Sequence, residues 1–194
     1  MKAKLVVLMI LLVAMMGCNA LEKGTLSATR LVIKNITGND VAGKAGSSII
    51  FSDVLSGTGS IANDNATIDV TAALLDGTTE KTTFYPNVVI DQVDIKYSRT
   101  DGRNVEGKDV PYGFSQPVSI YVEVGATVQF SVVVLSPNAK QESPLLELRD
   151  LGQEKILQLN ANLTIYAKDM AGKRLEPVSR TVTIFCCNFA DAAT

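Results

Sequence analysis

Histidine and tryptophan are absent from all 194 residues. Without histidine, Ser-His-Asp and Cys-His catalysis, histidine-ligated haem and nearly all catalytic zinc geometries are excluded. Carboxylate pairs, lysine bases and calcium sites stay open. The lack of tryptophan, with aromatics at only 6%, makes a lectin-like aromatic platform a poor expectation. Blocks of like charge are missing too. The chain has 18 basic against 20 acidic residues, and setting aside Lys2 and Lys4 leaves 16 against 20. That balance lacks the basic footprint of a nucleic-acid binder, and its mild acidity opposes electrostatic docking on anionic head groups.

Also missing is any apolar run long enough to span a bilayer, which takes about 20 residues. What is present is shorter and more specific. Lys2 and Lys4 make a positive start, Leu5 to Ala14 are uninterrupted apolar residues, and Gly17 directly precedes Cys18. That order resembles a bacterial lipoprotein signal. The resemblance implies that the Cys18 thiol receives a diacylglycerol, that residues 1–17 are removed as a signal peptide, and that the new N-terminus is acylated. An ordinary secretory signal and a retained membrane helix are the alternatives, though polar Asn19, Glu22 and Lys23 arrive too early for a span. Asn19, rather than Asp, after the cysteine leans toward the outer membrane of a Gram-negative cell envelope. Residues 18–28, small and polar after Cys18, form the lipidated N-terminus and tether, and residues 29–190 form the folded domain.

Three cysteines are too few for a disulfide framework. With Cys18 lipidated, Cys186 and Cys187 remain. Neighbours on a strand face opposite ways, and Cys186 falls in phase with Val182 and Ile184 and is expected in the core, with Cys187 outward or at the strand end. Two free thiols, a strained vicinal disulfide and pairing with a partner protein all stay open.

The remainder alternates with period two, the pattern of half-buried strands. Ile68, Val70, Ala72 and Leu74 form one such set. Others are Val93, Ile95 and Tyr97; Val118 to Val124; Val128 to Val134; Leu163, Ile165 and Ala167; and Val182 with Ile184. Arg30–Ile36 and Ser48–Leu55 are less regular but rich in β-branched residues. Val88 and Ile90 are apolar on even numbers and Val93 to Tyr97 on odd ones, so a continuous strand needs a bulge near Asp91 or Gln92. Ser143-Pro144, with Leu145, Leu148 and Leu151 spaced by three, predicts the single short helix, plugging one end. The fold class is therefore all-β: an antiparallel β-sandwich of about eight strands with one short helix.

Tyr166 followed by Asp169-Met170-Ala171-Gly172 resembles the closing hairpin of bacterial immunoglobulin-like domains, in which Asp bonds its own backbone and Gly accepts positive φ; the resemblance implies that the sandwich is immunoglobulin-like. The segment Val110-Pro111-Tyr112-Gly113-Phe114 is similar to one in lipoproteins of anaerobic Gram-negative bacteria. Tyr112 and Phe114 in that segment either cap the open end of the core or contact a partner. The Asn63-Asp64-Asn65 cluster reads as a plain turn rather than a calcium loop, and Asp101 to Asp109 as a hairpin tip. Asn35, Asn65 and Asn162 begin Asn-x-Ser/Thr triplets that arise by chance. Glu147 and Asp150 suit a solvated face, and no nucleophile sits beside a base, so no catalytic residue, metal or cofactor is expected. The sequence thus predicts a lipid-anchored, non-catalytic module that binds or scaffolds a protein or polysaccharide of the envelope. The alternative is a small-molecule or glycan carrier with its ligand between or at the end of the sheets.

Overall fold

The computed structural model describes residues 26–39, 48–56, 59–77 and 83–189; Cys18 lies outside them. Eight strands make two facing sheets: β1 (Thr29–Asn39), β2 (Ile49–Asp53), β3 (Asp64–Leu74), β4 (Val88–Ser98), β5 (Phe114–Val122), β6 (Thr127–Leu135), β7 (Leu157–Asp169) and β8 (Val178–Cys187). The smaller sheet has the order β1-β3-β6 and the larger β2-β8-β7-β4-β5. Every pairing is antiparallel except β2 with β8, which run parallel from Ile49 opposite Thr183 to Asp53 opposite Cys187.

Alternation in sequence becomes rows of side chains between the sheets. Ile36, Ile68 and Phe130 sit opposite one another across β1, β3 and β6. Ile50, Ile184 and Leu159 do the same across β2, β8 and β7. These rows belong to one continuous core cluster, and each fully buried Leu, Ile or Val in it contributes about 1.5–3 kcal/mol relative to exposure.

The phase slip in β4 is a bulge at Asp91. Ile90 pairs with Ala167 and Gln92 with Tyr166, while Asp91 is skipped on the β7 side as well as the β5 side. Val88, Ile90, Val93, Ile95 and Tyr97 are all buried as a result. A second slip explains the irregular look of β1, where the register shifts between Ile33 and Asn35. Leu31 and Ile33 therefore face inward on odd numbers, Ile36 and Gly38 on even ones.

β5 and β6 meet at a tight turn on Gly125 (φ 81°) yet belong to different sheets. Gly125 N–H donates to the Ala72 carbonyl of β3 at 2.8 Å, so the chain arches across the core instead of folding into a hairpin. Tyr97 also joins the sheets, its hydroxyl donating to the Val134 carbonyl at 2.7 Å. The β7–β8 turn forms as its residue types dictate. Asp169 Oδ1 accepts from Ala171 N–H at 3.0 Å and Lys173 N–H at 2.8 Å, and Gly172 takes φ 83°.

The single short helix expected over residues 143–151 is instead a chain of 3₁₀ turns at Ala139–Gln141, Leu146–Leu148 and Gly152–Glu154. The leucine spacing of three matches the 3.0-residue period of that geometry better than 3.6. Leu145 and Leu148 are buried by it, and the segment does close one end of the sandwich. Among the described residues no helix is long and apolar enough to cross a membrane.

Candidate functional site

The strand directions give the sandwich two unlike ends. At one, β4, β6 and β8 finish and β3, β5 and β7 begin, and the 3₁₀ segment and the long β4–β5 loop (residues 99–113) close it. Both sequence-predicted contact residues lie on this side, and the structure separates their roles. Phe114, the first residue of β5, is half-buried and packs against the core. Tyr112 is 59% exposed, although Val110 and Pro111 before it are buried. Capping is thus the work of Val110 and Phe114, and Tyr112 is presented outward.

Two glycines shape that presentation. Gly107 has φ 74°, and a Cβ built there would overlap the Tyr112 ring. The hydroxyl end of the ring therefore rests against a residue that has no side chain. Gly113 approaches β4 so closely that a Cβ would stand 2.8 Å from the Ile95 carbonyl. The loop is further tied by Gly107 N–H to the Val110 carbonyl at 2.8 Å and by Asp109 N–H to the Val105 carbonyl at 2.7 Å.

The same loop forms one wall of a cleft of about 200 Å³ at this end. Arg99, Arg103 and Lys108 from the loop, with Lys155 from beyond the 3₁₀ turns, supply four cations, while Pro144, Leu148 and Leu157 supply an apolar floor. Asp101 braces two of the cations. It accepts from Arg99 Nε at 3.0 Å and from Arg103 Nε at 3.3 Å; these bonds, Arg99 foremost, hold its carboxyl below the usual value despite some desolvation. Asp109 accepts from Val105 N–H, and Glu147 from the Ser143 hydroxyl at 2.8 Å. Glu147 and Asp150 are exposed, as expected of a solvated face. A cleft below the usual range of about 300–1,000 Å³ for small-molecule pockets suits a single sugar ring or a polar side chain carrying negative charge.

Sequence reasoning missed a buried polar cluster beneath this end. Asp64, read as part of a plain turn, begins β3 inside the core. Lys140 Nζ lies 3.0 Å from Asp64 Oδ2, with both side chains inaccessible to solvent, and it also donates to the Asp53 carbonyl at 2.8 Å. Cys186, Ser52 and Tyr97 surround the pair. Cys186 is buried as expected and its thiol is free. Burial first, then the Asp64 carboxylate, pushes that thiol upward, while Lys140 and Ser52 oppose the shift. Burial, then Cys186 and Asp64, raises Tyr97 likewise. Cys187 sits at the strand end but is not outward. The 3₁₀ segment covers it, and its thiol donates to the Gly152 carbonyl at 3.3 Å. A lysine within a mostly polar stretch carries no period that marks it as buried, so Lys140 had no sequence signal.

No family model and no curated protein matches the sequence. Among solved structures, the CooA pilin subunit from enterotoxigenic Escherichia coli is similar at 12% identity and a TM-score of 0.32, over 82% of this chain and 97% of that one.

Proposed function

We propose that the protein is a lipid-anchored, non-catalytic component of the cell envelope, held through Cys18 in the outer membrane of a Gram-negative bacterium, that binds or scaffolds another envelope component. The partner, a protein or a polysaccharide, is met by the loop carrying Tyr112, with Phe114 fixing that loop to the core. The observation that supports this reading is an exposed aromatic ring directly after buried Val110 and Pro111, on a loop tied by backbone hydrogen bonds, which presents a contact at little entropic cost. Confinement to a membrane raises effective concentration without any chemistry.

The test is a photo-crosslinking residue at position 112 in cells, followed by mass analysis of the adduct and of the acyl group on Cys18. A defined adduct lost on moving the probe to Lys168 supports the reading. Absence of any adduct from native envelopes counts against it.

The cleft lined by Arg99, Arg103, Lys108 and Lys155 favours a second reading, a carrier of a small anionic molecule or glycan at the end of the sheets. Extra mass retained by the purified protein in native mass spectrometry, and lost in Arg103→Glu, separates this reading from the first.

A further inference from the structure

The opposite end of the sandwich carries a cluster that neither reading uses. Leu26, Leu75, Phe84, Tyr85, Tyr121 and Met170 are each between 42% and 61% exposed. Short bonds gather them on one surface. Phe84 and Tyr85 stack with ring centroids 4.4 Å apart. Met170 N–H donates to the Tyr85 carbonyl at 3.1 Å, and Asn87 Nδ2 donates to the Tyr121 hydroxyl at 2.6 Å. The Thr29 hydroxyl donates to the Pro86 carbonyl at 2.9 Å, and Leu75 N–H to the Ala28 carbonyl at 2.8 Å. Exposed Lys168, Lys173 and Arg174 with Asp76, Glu123 and Glu176 lie around the cluster, so the rim has no strong sign of charge.

The first described residue, Leu26, lies at this same end, bridged to Arg174. It follows Cys18 by only eight positions, a span of no more than about 28 Å when fully extended. We infer that the aromatic end is a bilayer-docking surface: Phe84, Tyr85 and Met170 enter the head-group region beside the acyl anchor and point the Tyr112 end away from the membrane. This rests on the lipid-anchor reading. Tyrosine and phenylalanine on an apolar patch with a balanced rim suit the membrane interface, where an aromatic body is buried and a polar tip stays wet. Such an arrangement inserts by about 5–10 Å, shallow enough for loop residues.

The absence of native tryptophan makes the test direct. Phe84→Trp and, independently, Met170→Trp are made in the full lipidated chain, with Leu146→Trp at the far end as reference. Each is incorporated into phosphatidylethanolamine–phosphatidylglycerol vesicles with brominated acyl chains, and acyl mass and flotation are recorded on the same samples. The expected result is flotation of all three, with emission at positions 84 and 170 quenched at least about twofold as befits interfacial depth and position 146 unquenched. Flotation with positions 84 and 170 unquenched, or with all three quenched alike, overturns the docking surface while leaving the anchor standing; the cluster then awaits a protein partner. A chain with neither acyl mass nor flotation overturns anchor and docking together.

Discussion

Lys140 and Asp64 form an ion pair at 3.0 Å in which neither side chain reaches solvent. The two residues come from the 3₁₀ segment and the start of β3, so the pair pins the closing segment to the smaller sheet. Desolvation makes such a pair a poor source of net stability, but removing one partner leaves a charge in the core. Lys140→Met is expected to lower unfolding free energy by about 3–5 kcal/mol, and Lys140→Met with Asp64→Leu by much less. Urea midpoints of the three proteins check this. Equal losses in the single and double variants would contradict the assignment.

The thiols beside this pair predict an alkaline limit. In the unfolded chain Cys186 ionises near its ordinary value of 9.0, whereas burial holds it protonated in the fold. The unfolded state thus binds fewer protons above that pH. Stability is fully present below about pH 9 and falls as pH rises, by at most about 1.4 kcal/mol per unit for each group. Tyr97 adds the same effect from its ordinary value of 10.0. Burial also raises Cys187, so Cys186→Ala should reduce the first part of the slope and Tyr97→Phe remove the second, read from denaturant midpoints between neutral and alkaline pH.

Because both cysteines are covered and free, a thiol reagent should leave the native protein unlabelled and count two thiols in denaturant when Cys18 carries its lipid. Three would place an unmodified thiol at Cys18, and none would mean a disulfide between neighbours.

Gly107 and Tyr112 are expected to be energetically coupled. Gly107→Ala introduces a side chain at positive φ and forces the ring off its seat, costing about 1–2 kcal/mol. In a Tyr112→Ala background only the backbone part remains, so the two losses should add to more than the double variant shows. Strict additivity in urea unfolding would mean that the ring does not rest on Gly107.

Asp169→Ala should loosen the β7–β8 turn by about 1–2 kcal/mol, since one carboxylate oxygen satisfies two backbone donors there. Asp169→Asn keeps an acceptor and should recover most of the loss.

The strands were legible because alternation survives wherever one face is wet. Even the bulge at Asp91 shows in the numbering, since Ile90 and Val93 fall out of phase by one. The equivalent slip at Lys34 was harder to see, because Leu31 and Ile33 leave too short a run on either side to fix the phase. The parallel seam of β2 with β8 left no local trace, since pairing partners far apart in sequence share no pattern. Leucines three apart marked the closing segment as packed but not which helical geometry it takes. Of the site, Tyr112 and Phe114 were visible as a pair, whereas the cations of the cleft come from two loops that only the fold brings together.

The seam of β2 with β8 has a consequence for assembly. Asp53 accepts a hydrogen bond from Phe189 across 136 residues, so the larger sheet cannot complete its outer edge until residue 189 is in place. β1, β3 and β6 need only the first 135 residues and can pair before the residues that follow are ordered. Long-range closure of this kind slows folding, leaving the outer strand of the larger sheet as the last piece to seat as the chain folds.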